Sequence, residues 1–130
     1  MVVDTSALIA ILLLEPEAER FTRTIADARP RLISAANLFE AAIVIEGRLG
    51  PDAGGDLDNF VTDVGLEVEP VTPDQVRVAR HAYRTYGRGN HPAGLNFGDC
   101  FAYVLAKSAG LPLLFKGDDF TRTDITPAVN

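Results

Sequence analysis

The sequence predicts an α/β fold built on a mainly parallel sheet, with helices over both faces. Two observations lead there. Short apolar runs that suit buried strands, Val2-Val3, Leu32-Ile33 and Leu113-Leu114-Phe115, recur along the chain. Between them lie segments whose apolar residues repeat at helical spacing, and strands alternating with helices make βαβ units. A third observation concerns polarity. The first and last of these runs lead into aspartates, and open parallel sheets bind ligands beyond the carboxyl ends of their strands.

Val2-Val3 is the first strand, and Thr5-Ser6 open a helix through about Leu14. Pro16 sits at the first turn of a second helix, Glu17 to about Ala28, whose apolar face holds Ala18, Phe21, Ile25 and Ala28. Pro30 breaks the chain before a strand at Arg31-Leu32-Ile33, and Ser34 caps a helix from Ala35 to about Arg48. The stretch LGPDAGGD is a loop or helix entrance; Asp56 to about Asp63 is helical, with Leu57, Phe60, Val61 and Val64 inward. GLEVEPV alternates as a strand with one wet face does. Thr72 caps and Pro73 begins a helix to Tyr86, with Val76, Ala79, Tyr83 and Tyr86 on one face. GRGNHPAGLN is a loop, and the helix from Asn96 to about Ala109 ends at Gly110. Leu113-Leu114-Phe115 is a buried strand, KGDDF turns out of it, and Ile125 lies in a last short strand.

A chain of 130 residues is most simply one domain, 1–130. Such a chain buries roughly two-thirds of its unfolded surface and needs no covalent staple. With 47% hydrophobic residues and no low-complexity tract, repeat or charge block, it is globular rather than disordered. Cys100 has no cysteine to pair with, which fits a reducing compartment. The apolar run Ala7 to Leu14 is far shorter than the roughly 20 residues of a membrane span. The expectation is a soluble cytoplasmic protein without membrane contact. A net charge of −6 and a pI of about 4.8 count against nucleic-acid binding. That objection weakens if several acids serve as metal ligands.

Several acids do occupy costly places. Asp4 follows the first strand, where it is either a helix cap or a site residue. From Ala35 to Ile45 only Asn37 and Glu40 are polar. A helix apolar nearly all round is buried, and a buried carboxylate must pair, protonate or bind a cation. Asp99 is the only charge between Phe97 and Ala106, although Asn96 three residues earlier also allows a loose capping box. Asp118 and Asp119 follow the last strand and could serve only as turn residues with Gly117. Taken together, two strand ends and two buried helix starts aim carboxylates at one rim of the sheet. Converging carboxylates repel unless a cation intervenes. Oxygen-only ligands select hard ions, Mg²⁺ or Mn²⁺. Such a site can activate water and brace a phosphodiester for in-line attack.

The stretches VVDTSAL, NLFEAAIVIE, NFGDCFAYVLAK and PLLFKGDDFTRTDI carry these acids. Together they resemble PIN-domain ribonucleases of the VapC toxin type, in family order and over essentially the whole chain. The resemblance implies a three-layer α/β/α sandwich and Mg²⁺-dependent endoribonuclease activity on RNA, with Mn²⁺ as a substitute ion. It also implies a cognate VapB-type antitoxin that blocks the site, and a homodimer. The family's acids fall on Asp4, Glu40, Asp99 and Asp119, the last because the family pattern places an acid just before Phe, here Phe120. Asp118 is the less-favoured alternative. By this resemblance Asp4 and Asp99 bind the principal ion, and Glu40 and Asp119 complete its shell or hold a second. Thr5 and Ser6 match the hydroxyls beside the first acid, and Ser6 orients that carboxylate or touches substrate phosphate.

RNA also needs cations. Arg77, Arg80, Arg84 and Arg88 recur at helical steps and form either a solvated stripe or contacts to phosphates or acidic antitoxin residues. Lys116 and Arg122 lie next to the proposed site as phosphate contacts. His81 and His91 lack metal-ligand spacing, and Cys100 reads as core. The nearest rival is a phosphate-handling α/β domain, an aspartyl-phosphate hydrolase or a receiver module, for which Lys116 after a strand is suggestive. The first strand lacks the paired Asp or Asp-x-Asp such domains use. A second rival is a non-catalytic binding module whose acids are only caps. Dinucleotide and nucleoside-triphosphate sites are disfavoured by wrong glycine spacing and the absence of GxxxxGK[ST].

Overall fold

A computed structural model describes residues 1–129. Its elements run β1 (Val2–Val3), α1 (Thr5–Leu12), α2 (Ala18–Asp27), β2 (Leu32–Ser34), α3 (Ala35–Leu49), α4 (Ala53–Asp63), β3 (Glu67–Glu69), α5 (Pro73–Tyr86), α6 (Phe97–Ala109) and β4 (Leu113–Leu114). The four strands form one parallel sheet in the order β3-β2-β1-β4. Val2 is in register with Leu32 on one side and Leu113 on the other.

The period of two along each strand divides the core. Val3, Ile33 and Leu114 pack into one buried cluster with residues of α1 to α4, while Val2, Leu32 and Leu113 pack into another with α6 and Ala82 of α5. The sheet is therefore the middle layer of an α/β/α sandwich. Adjacent strands are joined through helices, as parallel pairing requires.

Local signals account for most boundaries. Ser34 Oγ accepts from the Ala36 amide, Thr72 Oγ1 accepts from the Gln75 amide, and Gly110 ends α6 in the left-handed conformation. Five expectations need correction. First, α1 stops at Leu12, and Leu14, at φ 55°, stands outside it. Second, α4 begins at Ala53, so Gly54 and Gly55 lie inside a helix despite their low propensity. Third, β3 is an edge strand without the expected wet and dry faces: Leu66 before it is buried, but Val68 is 45% exposed. Fourth, Ala82 is the buried residue of α5, whereas Val76 and Tyr83 remain exposed. Fifth, the tail makes no strand at Ile125, although its side chain is buried and Leu113 forms an isolated parallel bridge with Pro127.

Candidate active site

The carboxyl end of β1 fixes the first acid. The Asp4 amide donates to Leu114 O of β4 at 2.9 Å, which locks the residue to the sheet rim. Its side chain caps α1: Oδ2 accepts from the Ser6 amide at 3.0 Å and from Ser6 Oγ at 2.6 Å. Ser6 Oγ in turn accepts from the Lys116 amide at 2.9 Å. One hydroxyl thus links the chain leaving β4 to the Asp4 carboxylate. Burial pushes the Asp4 carboxyl up to about 6; the Ser6 bonds oppose that rise, and the charge of Glu40 adds to it.

Asp99 sits in the first turn of α6. It forms the capping box with Asn96: the Asn96 amide donates to Asp99 Oδ2 at 3.0 Å, and the Asp99 amide donates to Asn96 Oδ1 at 2.9 Å. Both aspartates are therefore caps, as the simpler reading held, but capping leaves part of their behaviour unexplained. Burial above all, and then the charges of Asp4, Asp119 and Glu40, raise the Asp99 carboxyl to about 7 against the opposing Asn96 bond. Four acids from four separate segments share one electrostatic field. Asp118 and Asp119 are both exposed, and of the two Asp119 contributes to that field.

Glu40 is carried by α3 and lies against the start of α6. A Cβ on Gly98 would fall 2.6 Å from Glu40 Oε1 and closer still to Oε2. One turn earlier on α3, Asn37 is wholly buried, and its Nδ2 donates to Gly98 O at 2.9 Å. Asn37 O accepts from Thr5 Oγ1 at 3.1 Å, and Asn37 Oδ1 is buried with no hydrogen-bond partner. Sequence reasoning noted the polarity of Asn37 without giving it a task, and passed over Gly98. A glycine between Phe97 and Asp99, in a helix where its backbone freedom is not needed, was the available signal.

The acids are near one another without forming a finished cage. Among the described residues, no group of three or more His, Cys, Asp or Glu side chains is arranged to hold a metal ion. Their chemistry nevertheless fits a hard divalent cation: every donor is oxygen, two are buried, and each charge raises the cost of the next.

The proposed substrate contacts fare differently. Thr5 is buried and spends its hydroxyl on Asn37 O, so it braces α1 against α3. Lys116 Nζ is held by Glu15 Oε2 at 2.6 Å and Glu17 Oε2 at 3.1 Å, which ties it to the connection between α1 and α2. Lys116 is therefore already paired within the chain, and any phosphate contact it makes has to compete with Glu15 and Glu17. Arg77 pairs with Asp74. Arg80, Arg84, Arg88 and Arg122 are exposed. Arg80 and Arg84 border a groove of about 660 Å³ between α5 and α6, floored by apolar residues including Val76, Tyr83 and Phe97. His81 is exposed, and His91 Nδ1 accepts from the Ala93 amide in its loop. Cys100 is a buried thiol, pushed up to about 11 by burial and then by Asp99, which disfavours the thiolate a nucleophile needs.

A family model for the PIN domain matches residues 1–125. The chain belongs to the VapC-type PIN family. It is 53% identical over 125 residues to Ribonuclease VapC30 of Mycobacterium tuberculosis, covering 96% of this chain and 95% of that protein. It is 51% identical to Ribonuclease VapC of Mycolicibacterium smegmatis, covering 96% and 97%. The crystal structure of Mycobacterium tuberculosis VapC20, described as a sarcin-ricin loop cleaving toxin, superposes with a TM-score of 0.78 over 96% of this chain and 95% of that one. At 20% identity that likeness speaks for the fold alone. Among the described residues no helix is long and apolar enough to cross a membrane.

Proposed function

We propose that this VapC-type protein is a cytoplasmic Mg²⁺-dependent endoribonuclease toxin, with Mn²⁺ able to replace Mg²⁺, held in check by a VapB-type antitoxin. The observation that carries the reading is Asp99. It is buried at the head of α6, yet it feels the charges of Asp4, Glu40 and Asp119 rather than a neutralising base. A purely structural carboxylate is normally paired.

Asp4 and Asp99 would hold the ion, with Glu40 and Asp119 completing its surroundings. A bound Mg²⁺ supplies Lewis acidity towards a phosphodiester. The chain's own contribution is orientation. Ser6 fixes the Asp4 carboxylate, the capping box fixes Asp99, and the amide bond to Leu114 O fixes Asp4 relative to β4. The names of the relatives support RNA as substrate. Exposed Arg84, Arg88 and Arg122 supply phosphate contacts. Exposed apolar side chains on α3 and α6, with Phe97 78% and Phe39 68% exposed, support a protein partner, an antitoxin segment or a second copy.

The test is RNA cleavage by the purified protein with Mg²⁺, Mn²⁺ or a chelator, with Asp99→Asn as control. Cleavage that needs the ion and disappears in the variant is expected. Cleavage that survives chelation sinks the metal reading.

A further inference from the structure

Two contacts between α3 and the head of α6 converge on Gly98. On one side Asn37 Nδ2 donates to its carbonyl; on the other the Glu40 carboxylate occupies the space a Cβ would fill. Asn37 and Glu40 are three residues apart on α3, so they lie on neighbouring positions of one face. Gly98 adjoins Asp99, and Thr5, whose hydroxyl donates to Asn37 O, adjoins Asp4. Three of the four acids are thereby referred to a single joint.

The residue choices at that joint work against plain stability. Glycine in a helix is less favourable than alanine. Gly98 has an ordinary helical position and no positive φ that would require it. The group a side chain would meet is the far end of a flexible Glu, which could move aside at little cost to folding. Asn37 is equally uneconomical, since its Oδ1 is buried and unbonded while its Nδ2 serves Gly98. Neither residue is explained by packing alone.

We infer that Gly98 and Asn37 form a seat that fixes the Glu40 carboxylate beside Asp99, acting as positioning residues for the acid site. This rests on the endoribonuclease reading above. With a Cβ at 98 the Glu40 carboxylate must leave; with Asn37 truncated the α6 head loses its tether to α3.

The test uses the full chain, Mn²⁺ titration followed by paramagnetic resonance or calorimetry, steady-state RNA cleavage, and thermal melts. Gly98→Ala should melt at the same temperature or higher, yet bind Mn²⁺ about tenfold or more weakly, as lost support around a metal site does. Its kcat should fall while KM for RNA changes little. Glu40→Asp withdraws the carboxylate, so the double variant Gly98→Ala/Glu40→Asp should be no worse than Glu40→Asp alone. Asn37→Ala should weaken Mn²⁺ binding as well. Its control is Tyr103→Phe, which removes the 2.7 Å bond to Asp124 elsewhere on α6 and should leave Mn²⁺ affinity unchanged. Gly98→Ala binding Mn²⁺ and cleaving RNA as the natural protein does would overturn the seat. So would Asn37→Ala that loses stability but no Mn²⁺ affinity, which also decides the matter if Gly98→Ala does not fold. If the natural protein itself neither binds Mn²⁺ nor cleaves RNA, the endoribonuclease reading has failed, a different result from a working natural protein with indifferent variants.

Discussion

The two ends of α6 treat a carboxylate in opposite ways. Near its carboxyl end, Asp124 meets Lys107 Nζ at 2.9 Å and the Tyr103 hydroxyl at 2.7 Å. Burial works against the Asp124 charge, but Lys107 and Tyr103 outweigh it and hold the carboxyl below its ordinary range. At the amino end, Asp99 is raised to about 7 by burial and by three further acids. The helix dipole cannot explain the contrast, because an acid in the first turn and a base in the last are both favourable placements. The difference lies in what each carboxylate faces. One end is neutralised from within the chain, while the other gathers negative charge that only something from outside can offset.

The largest expected effect comes from removing the Asp99 carboxylate. Asp99→Asn should reduce RNA cleavage to background. The amide oxygen of an Asn at this position can still accept from the Asn96 amide, so little stability should be lost through the capping box. The sign of the electrostatic effect follows from linkage. A carboxyl raised from 3.8 to about 7 binds more protons folded than unfolded between those values, so without metal the protein loses stability as pH rises from about 4 to 7. Asp4, raised to about 6, acts in the same direction over a narrower window. Asp99→Asn should flatten that decline and, at pH 7.5 without metal, melt at or above the natural protein. Added Mn²⁺ should raise the natural protein's melting temperature at pH 7.5 and lose that effect near pH 5, as the acids protonate. Asp124→Asn should do the reverse: cleavage unchanged, and a half-exposed ion pair removed at a cost of roughly 0–1 kcal/mol. Thermal melts across pH 4 to 8 with and without Mn²⁺ would check all of this. A decline with pH that is as steep in Asp99→Asn as in the natural protein would break the comparison.

An intermediate effect separates the adjacent acids of the KGDDF turn. Asp119 adds to the field at Asp99, and Phe120 behind it is buried in the core, which fixes the turn. Asp118 O accepts from the Thr121 amide and hydroxyl, so its visible structural task belongs to its backbone. Asp119→Asn should weaken Mn²⁺ binding and slow cleavage by about 10- to 100-fold, the range for groups that support a metal site. Asp118→Asn should leave both nearly unchanged. Equal losses in the two variants would return the assignment to an open question.

These contrasts bear on how much the sequence could reveal. The sandwich was legible because Val2-Val3, Leu32-Ile33 and Leu113-Leu114 alternate between the two core clusters while helical periods fill the gaps. Asp4 and Asp99 were legible as anomalies, charges in apolar surroundings that prove buried. The helix carrying Glu40 is not buried all round as its composition suggested, since Phe39 and Ile43 are exposed, and Asp119 lies exposed in a polar turn. The double service of the buried pair was not legible, because a capping box at Asn96–Asp99 and a shared field at Asp99 leave the same residues in the sequence. Gly98 and Asn37 were obscured for a related reason: their importance depends on α3 meeting α6, a contact between residues 61 apart in the chain. The ion pairs of Lys116 were hidden in the same way, since Glu15 and Glu17 reach it only after β4 is placed beside β1.

The smallest effect concerns the arginines, the part of the molecule that sets its acid rim against a partner of like charge. Arg84 and Arg88 are exposed on or just beyond α5, while Arg77 is already paired with Asp74. Each phosphate a protein touches releases counterions, so removing the touching cation lowers the salt dependence of binding. Reversing Arg84 and Arg88 to Glu should weaken RNA binding at low salt and reduce the slope of log affinity against log salt by about 1–2, one unit for each phosphate no longer neutralised. Binding is best measured with Ca²⁺ in place of Mg²⁺, or with Asp99→Asn, so that cleavage does not consume the RNA. Melting temperature should hardly move, because neither side chain is buried. If the slope is unchanged while a purified antitoxin no longer binds the reversed variant, these arginines serve the inhibitor rather than the substrate.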